Sequence, residues 1–337
     1  NYNFKTGKHK LQDLSPYDAQ RTLTIDNNAS VSTTDTRVTY EARMLHTAAW
    51  KNHQTSLTAV FQAMERTYTP IRKVLNGMPQ RNLTFSMRGS YGFKDRYFIE
   101  SSFGYNGSER FAKKNRMGFF PSGGIAWVIS NEPFMRPISN WLDFLKFRAS
   151  WGKVGNDGII DEPRFVFLPL INTKLATRPI PYGTTFSRFQ IASYANEDIQ
   201  WEIAEQINFG LETKFFKGIV EVTLDAYQEI RHNILANRTT IPASMGIELA
   251  PLDNIGKARS RGIDLAAKIQ HFFNNDLWII LNGTLTYNKS IYKEIEEATD
   301  KPTWQRKVGH ELSQQVGYIA EGLFRDQAEI ENSPVQG

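Results

Sequence analysis

Cysteine is absent from all 337 residues, which excludes disulfides, thiolate catalysis and Cys-ligated zinc. Nowhere is there an uninterrupted apolar run of the ~18 residues that a membrane helix needs, and the opening NYNFKTGKHK carries no apolar stretch suited to a signal peptide. Charge of one sign is not gathered anywhere either. The net charge of +5 comes from Lys and Arg scattered among Asp and Glu, whereas a nucleic-acid footprint concentrates basic residues on one face. No nucleic-acid partner is expected. The densest basic run, Arg110, Lys113, Lys114 and Arg116, reads as a solvated loop.

Catalytic signatures are equally sparse. The six histidines lie far apart in sequence, and His310 with Glu311 opens like a zinc-protease helix but meets Gln314 where the second His is required. GxSxG, GxGxxG and phosphate-loop patterns are missing, and Gly256-Lys257 is followed by Ala258. No cofactor is expected, and no enzyme. Two carboxylate groups remain. Asp157, Asp161 and Glu162 in NDGIIDEP are calcium candidates by ligand type, although their spacing is not that of an EF-hand and a solvated turn is the plainer reading. Glu202 and Glu205 in WEIAEQ resemble a glycosidase pair only in composition, because carboxylate separation cannot be read from sequence.

What the chain has is aromatic residues, 12% of the total, and alternation. From Leu83, the residues Phe85, Met87, Tyr91 and Phe93 alternate with Thr84, Ser86, Arg88 and Ser90, the two-residue period of a strand with one apolar face. After Lys94-Asp95 the pattern resumes with Tyr97, Ile99, Phe103 and Tyr105, so a long hairpin is predicted here. Its arms of about ten residues match a tilted membrane-spanning strand. Less clear strands precede it around 36–50 and 56–64. Pro133 and Pro137 forbid a strand in 131–143, and Leu145 to Trp151 alternates again. Strands are predicted further at 207–215, 220–230, 263–272 and 278–287, joined pairwise by tight turns at Phe216-Lys217 and Asn274-Asn275. Between these pairs stand long connections at about 155–200, 236–260 and 289–314. Tight turns at one end and long loops at the other are the mark of an up-and-down membrane barrel.

Charge parity sharpens this reading. Lys146 with Arg148, Glu212 with Lys214, Glu221 with Asp225, and Asp264 with Lys268 each fall on one face of their strand, and the opposite face carries no charge in those four strands. A lipid-facing Lys or Arg at mid-depth costs roughly 2–4 kcal/mol, which enforces such exclusion. A soluble β-sandwich with one solvated face, binding glycans without transport, obeys the same parity and is the alternative. An enzyme on a β scaffold would need a catalytic group that the sequence does not show.

The segments YGFKDRYFIE, FGYNGSERF, RMGFFPSGGIAWVISNEPFM and LKFRASWGKVGNDGI resemble, in order and spacing, the barrel region of the SusC/RagA family of TonB-dependent outer-membrane transporters. NIGKARSRGIDL (254–265) likewise resembles a word common to TonB-dependent receptors; there Gly256 and Gly262 are expected to allow a bulge or close approach, with Arg259 and Arg261 near the rim. The resemblance implies an all-β, antiparallel part of a barrel of about 22 strands. It implies location in the outer membrane of a Gram-negative bacterium, in contact with its lipid, and import of a glycan or peptide. It also implies a SusD-like lipoprotein lid and TonB as partners. Residues 1–337 would be a partial barrel, without plug, TonB box, signal peptide or terminal strand, and Trp201 an interface aromatic. The loop residues Phe165, Tyr182, Phe186 and Arg188 are the candidate ligand contacts, since sugars stack on aromatic faces and polar groups fix orientation.

Overall fold

The computed structural model describes residues 2–3, 8–9, 34–69, 78–158, 165, 167–179, 185–245, 250–274, 276–298, 300–317 and 322–333. Two compact units are present, Asn1–Val38 with Glu65–Gln80, and Thr39–Met64 with Arg81–Gly337. Fourteen strands occur among the described residues. Short β1 (Tyr2–Asn3) pairs with β2 (Lys8–His9), and β9 (Leu170–Pro179) pairs with β10 (Thr185–Ser193) as a separate hairpin. The other ten form one sheet in which sequence neighbours lie side by side. They are β3 (Thr34–Trp50), β4 (His53–Thr69), β5 (Gln80–Phe93), β6 (Tyr97–Ser108), β7 (Met117–Val128), β8 (Leu142–Asn156), β11 (Glu202–Phe215), β12 (Val220–Asn237), β13 (Leu252–Phe272) and β14 (Trp278–Glu294). One short helix, α1 (Gln327–Asn332), lies near the C-terminal end.

The predicted hairpin forms as read. Lys94 and Asp95 both have φ of 52°, and the Arg96 amide donates to the Phe93 carbonyl at 3.0 Å. Phe93 pairs with Tyr97, so three residues, Lys94 to Arg96, make a tight connection between the strands. The four-residue connection from Phe216 to Ile219 also opens on positive φ, 55° at Phe216 and 58° at Lys217, followed by Gly218 at 80°. The prolines of 131–143 do exclude a strand, and a 3-10 helix over Pro133–Ile138 takes their place.

Which face is which follows from register. One continuous cross-strand row runs Phe93, Tyr97, Trp127, Phe147, Leu211, Leu224, Leu265, apolar at every position. Phe93 ends β5 at its turn, whereas Leu265 lies seven residues before the end of β13. At ~3.4 Å per residue and ~4.8 Å between strands, a slip of seven residues over six strand steps is a tilt of about 40°, within the 35–45° of transmembrane barrels. This face stays uncovered: Ile99 is 57% exposed and Phe119 58%. Phe85, Met87, Tyr91, Ile99 and Phe103 meet no second sheet among the described residues, so the sandwich alternative lacks the layer it requires. Aromatics gather where the tight turns are. Tyr97 stacks on Trp127, Trp141 on Phe215 and Trp50 on His53, as at a membrane–water boundary.

Candidate functional site: the polar face and the external loops

Opposite the apolar rows, cross-strand neighbours pair by charge. Arg88 on β5 binds Glu100 on β6 at 2.7 Å, and Ser102 meets Ser122 at 2.6 Å. Further along, Lys146 and Arg148 on β8 reach Glu212 on β11 at 3.3 and 3.1 Å. Arg148 continues to Asp225 on β12 at 2.7 Å, which also accepts from Asn208 at 3.0 Å, and Lys214 binds Glu221 at 3.3 Å. Three of the four same-face pairs read from sequence thus become parts of one ladder across β8, β11 and β12, while Asp264 and Lys268 on β13 stand across from Asp225 and Glu221. The ladder lines a concavity of about 1340 Å³ whose walls include Arg88, Glu100, Lys146, Arg148 and Glu212. A smaller one of about 330 Å³ adjoins it, between Arg148, Asn208, Asp225, Tyr227 and Asp264. Asp264 stands directly across from Asp225, and its Oδ1 is buried without a hydrogen-bond partner. Gly262 lies beside it because a Cβ there would fall 2.4 Å from the Tyr227 hydroxyl, so the close approach expected of this glycine is realised. The expected bulge occurs as well, on β12 between Arg231 and Leu235 opposite Gly256.

At the long-loop end the sheet is held by side chains. Pairing of β7 with β8 stops at Ser122 and Gly152, next to Pro121, which has no N–H to give. Beyond that point Phe120 packs edge-on against Trp201 at 5.2 Å, with Phe111, Ile199 and Leu235 completing a buried cluster. Gly155 is obligatory beside it, since a Cβ would stand 2.0 Å from the Phe120 ring. Trp201 is only 8% exposed, which corrects its expected place at the lipid interface. The basic run is exposed at Lys113, Lys114 and Arg116, as expected of a solvated loop, and it also makes specific contacts. Arg110 donates to the Asp157 carbonyl at 2.9 Å, Lys114 binds Asp198 at 2.5 Å, and Asn115 donates to the Glu197, Asp198 and Ile199 carbonyls. One connection therefore holds both stems of the excursion 157–200.

Two glutamates fasten the other external loops. Glu296 accepts from Arg238, the Thr239 amide and Thr240. Burial pushes its carboxyl up, but these hydrogen bonds and the Arg238 charge outweigh it and leave Glu296 below its ordinary range. Glu297 behaves likewise: burial raises it, and the amides of Lys307 and Val308 with the Lys301 and Lys307 charges bring it lower. At the tight-turn end Glu132 is held below the usual carboxylate range by hydrogen bonds from Tyr97 and Trp127 and the nearby Arg96 and Lys94 charges.

The sequence candidates are dispersed. Phe165 is 8% exposed with Phe167 edge-on at 6.2 Å. Phe186 and Arg188 lie on β10, opposite Arg178 and Ala176, and Tyr182 falls outside the described residues. Of the calcium candidates, Asp157 lends its carbonyl to Arg110, while Asp161 and Glu162 also lie outside the described residues. Glu202 and Glu205 point to opposite faces: Glu202 is buried near Arg231 at 3.4 Å, and Glu205 accepts from Trp151 at 2.8 Å. They cannot flank one bond. His310 joins no metal cluster among the described residues; its carbonyl accepts from the Tyr292 amide. The ladder itself was readable as parity, but the second ends of its ion pairs required the strand order.

A tilted antiparallel sheet, apolar on one face and charge-laddered on the other, with tight turns at one end and long loops at the other, is the wall of a transmembrane β-barrel. The chain belongs to the TonB-dependent receptor-like β-barrel family, which matches residues 1–320, and is a protein of the Gram-negative outer membrane. It is similar to the TonB-dependent receptor SusC of Bacteroides thetaiotaomicron, 28% identical over 72% of this chain and 25% of that protein. TonB-dependent receptor P39 of Formosa agariphila is 28% identical over 71% of this chain and 22% of its own length. The chain thus spans about a quarter of the length of these relatives. Among solved structures, the RagAB peptide importer in its closed-closed state shares the fold with a TM-score of 0.64 at 20% identity, covering 82% of this chain and 33% of that one. The SusC/RagA kinship expected from sequence holds. The family comprises transporters and receptors, not enzymes.

Proposed function

We propose that this chain forms part of the barrel of an importer that takes up an oligomeric nutrient, a glycan or a peptide, driven by TonB and served by a SusD-like surface lipoprotein. The observation that supports this reading is the charged and hydroxyl-bearing inner face with its concavity of about 1340 Å³. A polar, water-filled lumen suits a hydrophilic oligomer, and the apolar outer face suits lipid. In the whole protein a plug domain closes the lumen and couples to TonB. The chain contributes wall and external loops, and alone it would leave strand edges unpaired in lipid.

Ligand contact belongs to the excursion 155–200, where Tyr182, Phe186 and Arg188 are the proposed contacts. Phe165, the fourth candidate, is the weakest of them because it is 8% exposed and packs against Phe167. Calcium at Asp157, Asp161 and Glu162 is the subordinate proposal for the same segment, and the Arg110 guanidinium at the Asp157 carbonyl works against a cation there. Deleting TonB, or the plug, should abolish uptake of labelled oligomer while binding at the cell surface persists. Uptake that continues unchanged without TonB contradicts the mechanism.

A further inference from the structure

The inner-face cations Lys146, Arg148 and Lys214 each meet a carboxylate. On the outer face, at the long-loop end, the opposite arrangement occurs. Arg261 on β13 stands directly across from Lys289 on β14, and two residues further along β13 Arg259 lies between Ile230 and Ile291. Like charges placed directly opposite each other destabilise a sheet. Among the described residues no carboxylate forms an ion pair with Arg259 or Arg261. Arg261 instead donates from Nε to Gln228 at 2.6 Å, which fixes the guanidinium and leaves its two terminal nitrogens free. Lys289 has Glu311 at 3.7 Å, both well exposed.

Register fixes the height of this group. Along the outer face of β13 the next residues inward are Ile263, Leu265, Ala267 and Ile269, and Tyr287 pairs with Ile263. The cations therefore stand at the first positions beyond the apolar band, at the edge of the outer leaflet and facing away from the lumen. A soluble solute in the lumen does not reach them; lipid headgroups do. Resting on the outer-membrane placement of the chain, we propose that Arg259, Arg261 and Lys289 form a docking surface for the phosphate-bearing headgroup of an outer-leaflet glycolipid. The anion bridges the Arg261–Lys289 pair and removes its repulsion. The fork of a guanidinium suits two phosphate oxygens, and the Lys ammonium supplies a mobile second charge.

Native mass spectrometry of the intact protein in detergent, titrated with diphosphorylated lipid A, tests this directly. Binding should weaken about fivefold for each cation removed, so Arg261→Gln with Lys289→Gln should lose roughly 25-fold, while Lys268→Gln on the inner face leaves it unchanged. Lipid A stripped of its phosphates should bind the unaltered protein as weakly as that double variant binds the intact lipid. If the double variant loses the heat-modifiable gel mobility of a folded barrel, exposed Lys289→Gln alone carries the test with a fivefold loss. Unchanged affinity in a folded variant overturns the proposal. So does equal binding of the dephosphorylated lipid, and so does displacement of the lipid by equimolar inorganic phosphate, which would make the surface a free-phosphate site.

Discussion

Phe119 and Phe120 are identical side chains one residue apart, yet one is 58% exposed and the other 8%. Alternation along β7 sends the first to lipid and the second inward, where Phe111, Trp201, Ile199 and Leu235 receive it. The inward or outward choice was legible in the sequence, because a two-residue period fixes it. The partner was not, since Trp201 lies 81 positions away and nothing local marks it as a core residue. Its ring closes the gap that opens where β7 and β8 part at Pro121. Trp201→Ala should therefore cost about 3–5 kcal/mol, the usual range for removing a large buried aromatic. Urea unfolding in detergent should show that loss, and Trp201→Phe should recover much of it. A loss below about 1 kcal/mol would mean that the cluster does not hold the external end.

At the level of elements, strands were readable where one face meets lipid and were missed where they run on beyond that band. β12 continues to Asn237 and β13 begins at Leu252, well beyond the predicted 220–230 and 263–272. In those extensions, HNILAN and LDNIGKAR, Leu235 and Leu252 pack on one local cluster and not on a continuous lipid face, so no sustained period of two marks them. The hairpin β9–β10 lies inside a segment read as irregular. The tight turns were plain, because positive φ at two successive residues admits few solutions between strands. Loop fastening depends instead on single carboxylates. Glu296 has its folded carboxyl below the ordinary range, so its contribution is present at neutral pH and is lost as pH falls through the folded value. Hydrogen exchange should show the backbone around Arg238 to Thr240 becoming less protected below about pH 4 while β13 stays protected. Glu296→Gln should give the loosened loop already at neutral pH. Protection that stays unchanged on acidification until the whole barrel unfolds, and that is normal in Glu296→Gln, would show that Glu296 does not set the order of this loop.

For the whole molecule, everything functional follows from one assignment, that odd-numbered positions of β13 face lipid and even-numbered positions face the lumen. The tilt of about 40° recovered from register, the ladder centred on Arg148, the outward Arg259, Arg261 and Lys289, and the importer reading all share it. Because the chain has no cysteine, the assignment can be measured residue by residue with introduced thiols. Single cysteines at Ile263, Asp264, Leu265, Ala266, Ala267 and Lys268 would be placed in the intact protein, with any cysteine outside these 337 residues first replaced, and the variants reconstituted in bilayers and spin-labelled. Labels at 263, 265 and 267 should be relaxed strongly by oxygen, which concentrates in lipid, and labels at 264, 266 and 268 by a water-soluble nickel chelate. Alternation with that phase supports the barrel wall as described, and uniform access by the nickel chelate along the strand, or the opposite phase, contradicts it.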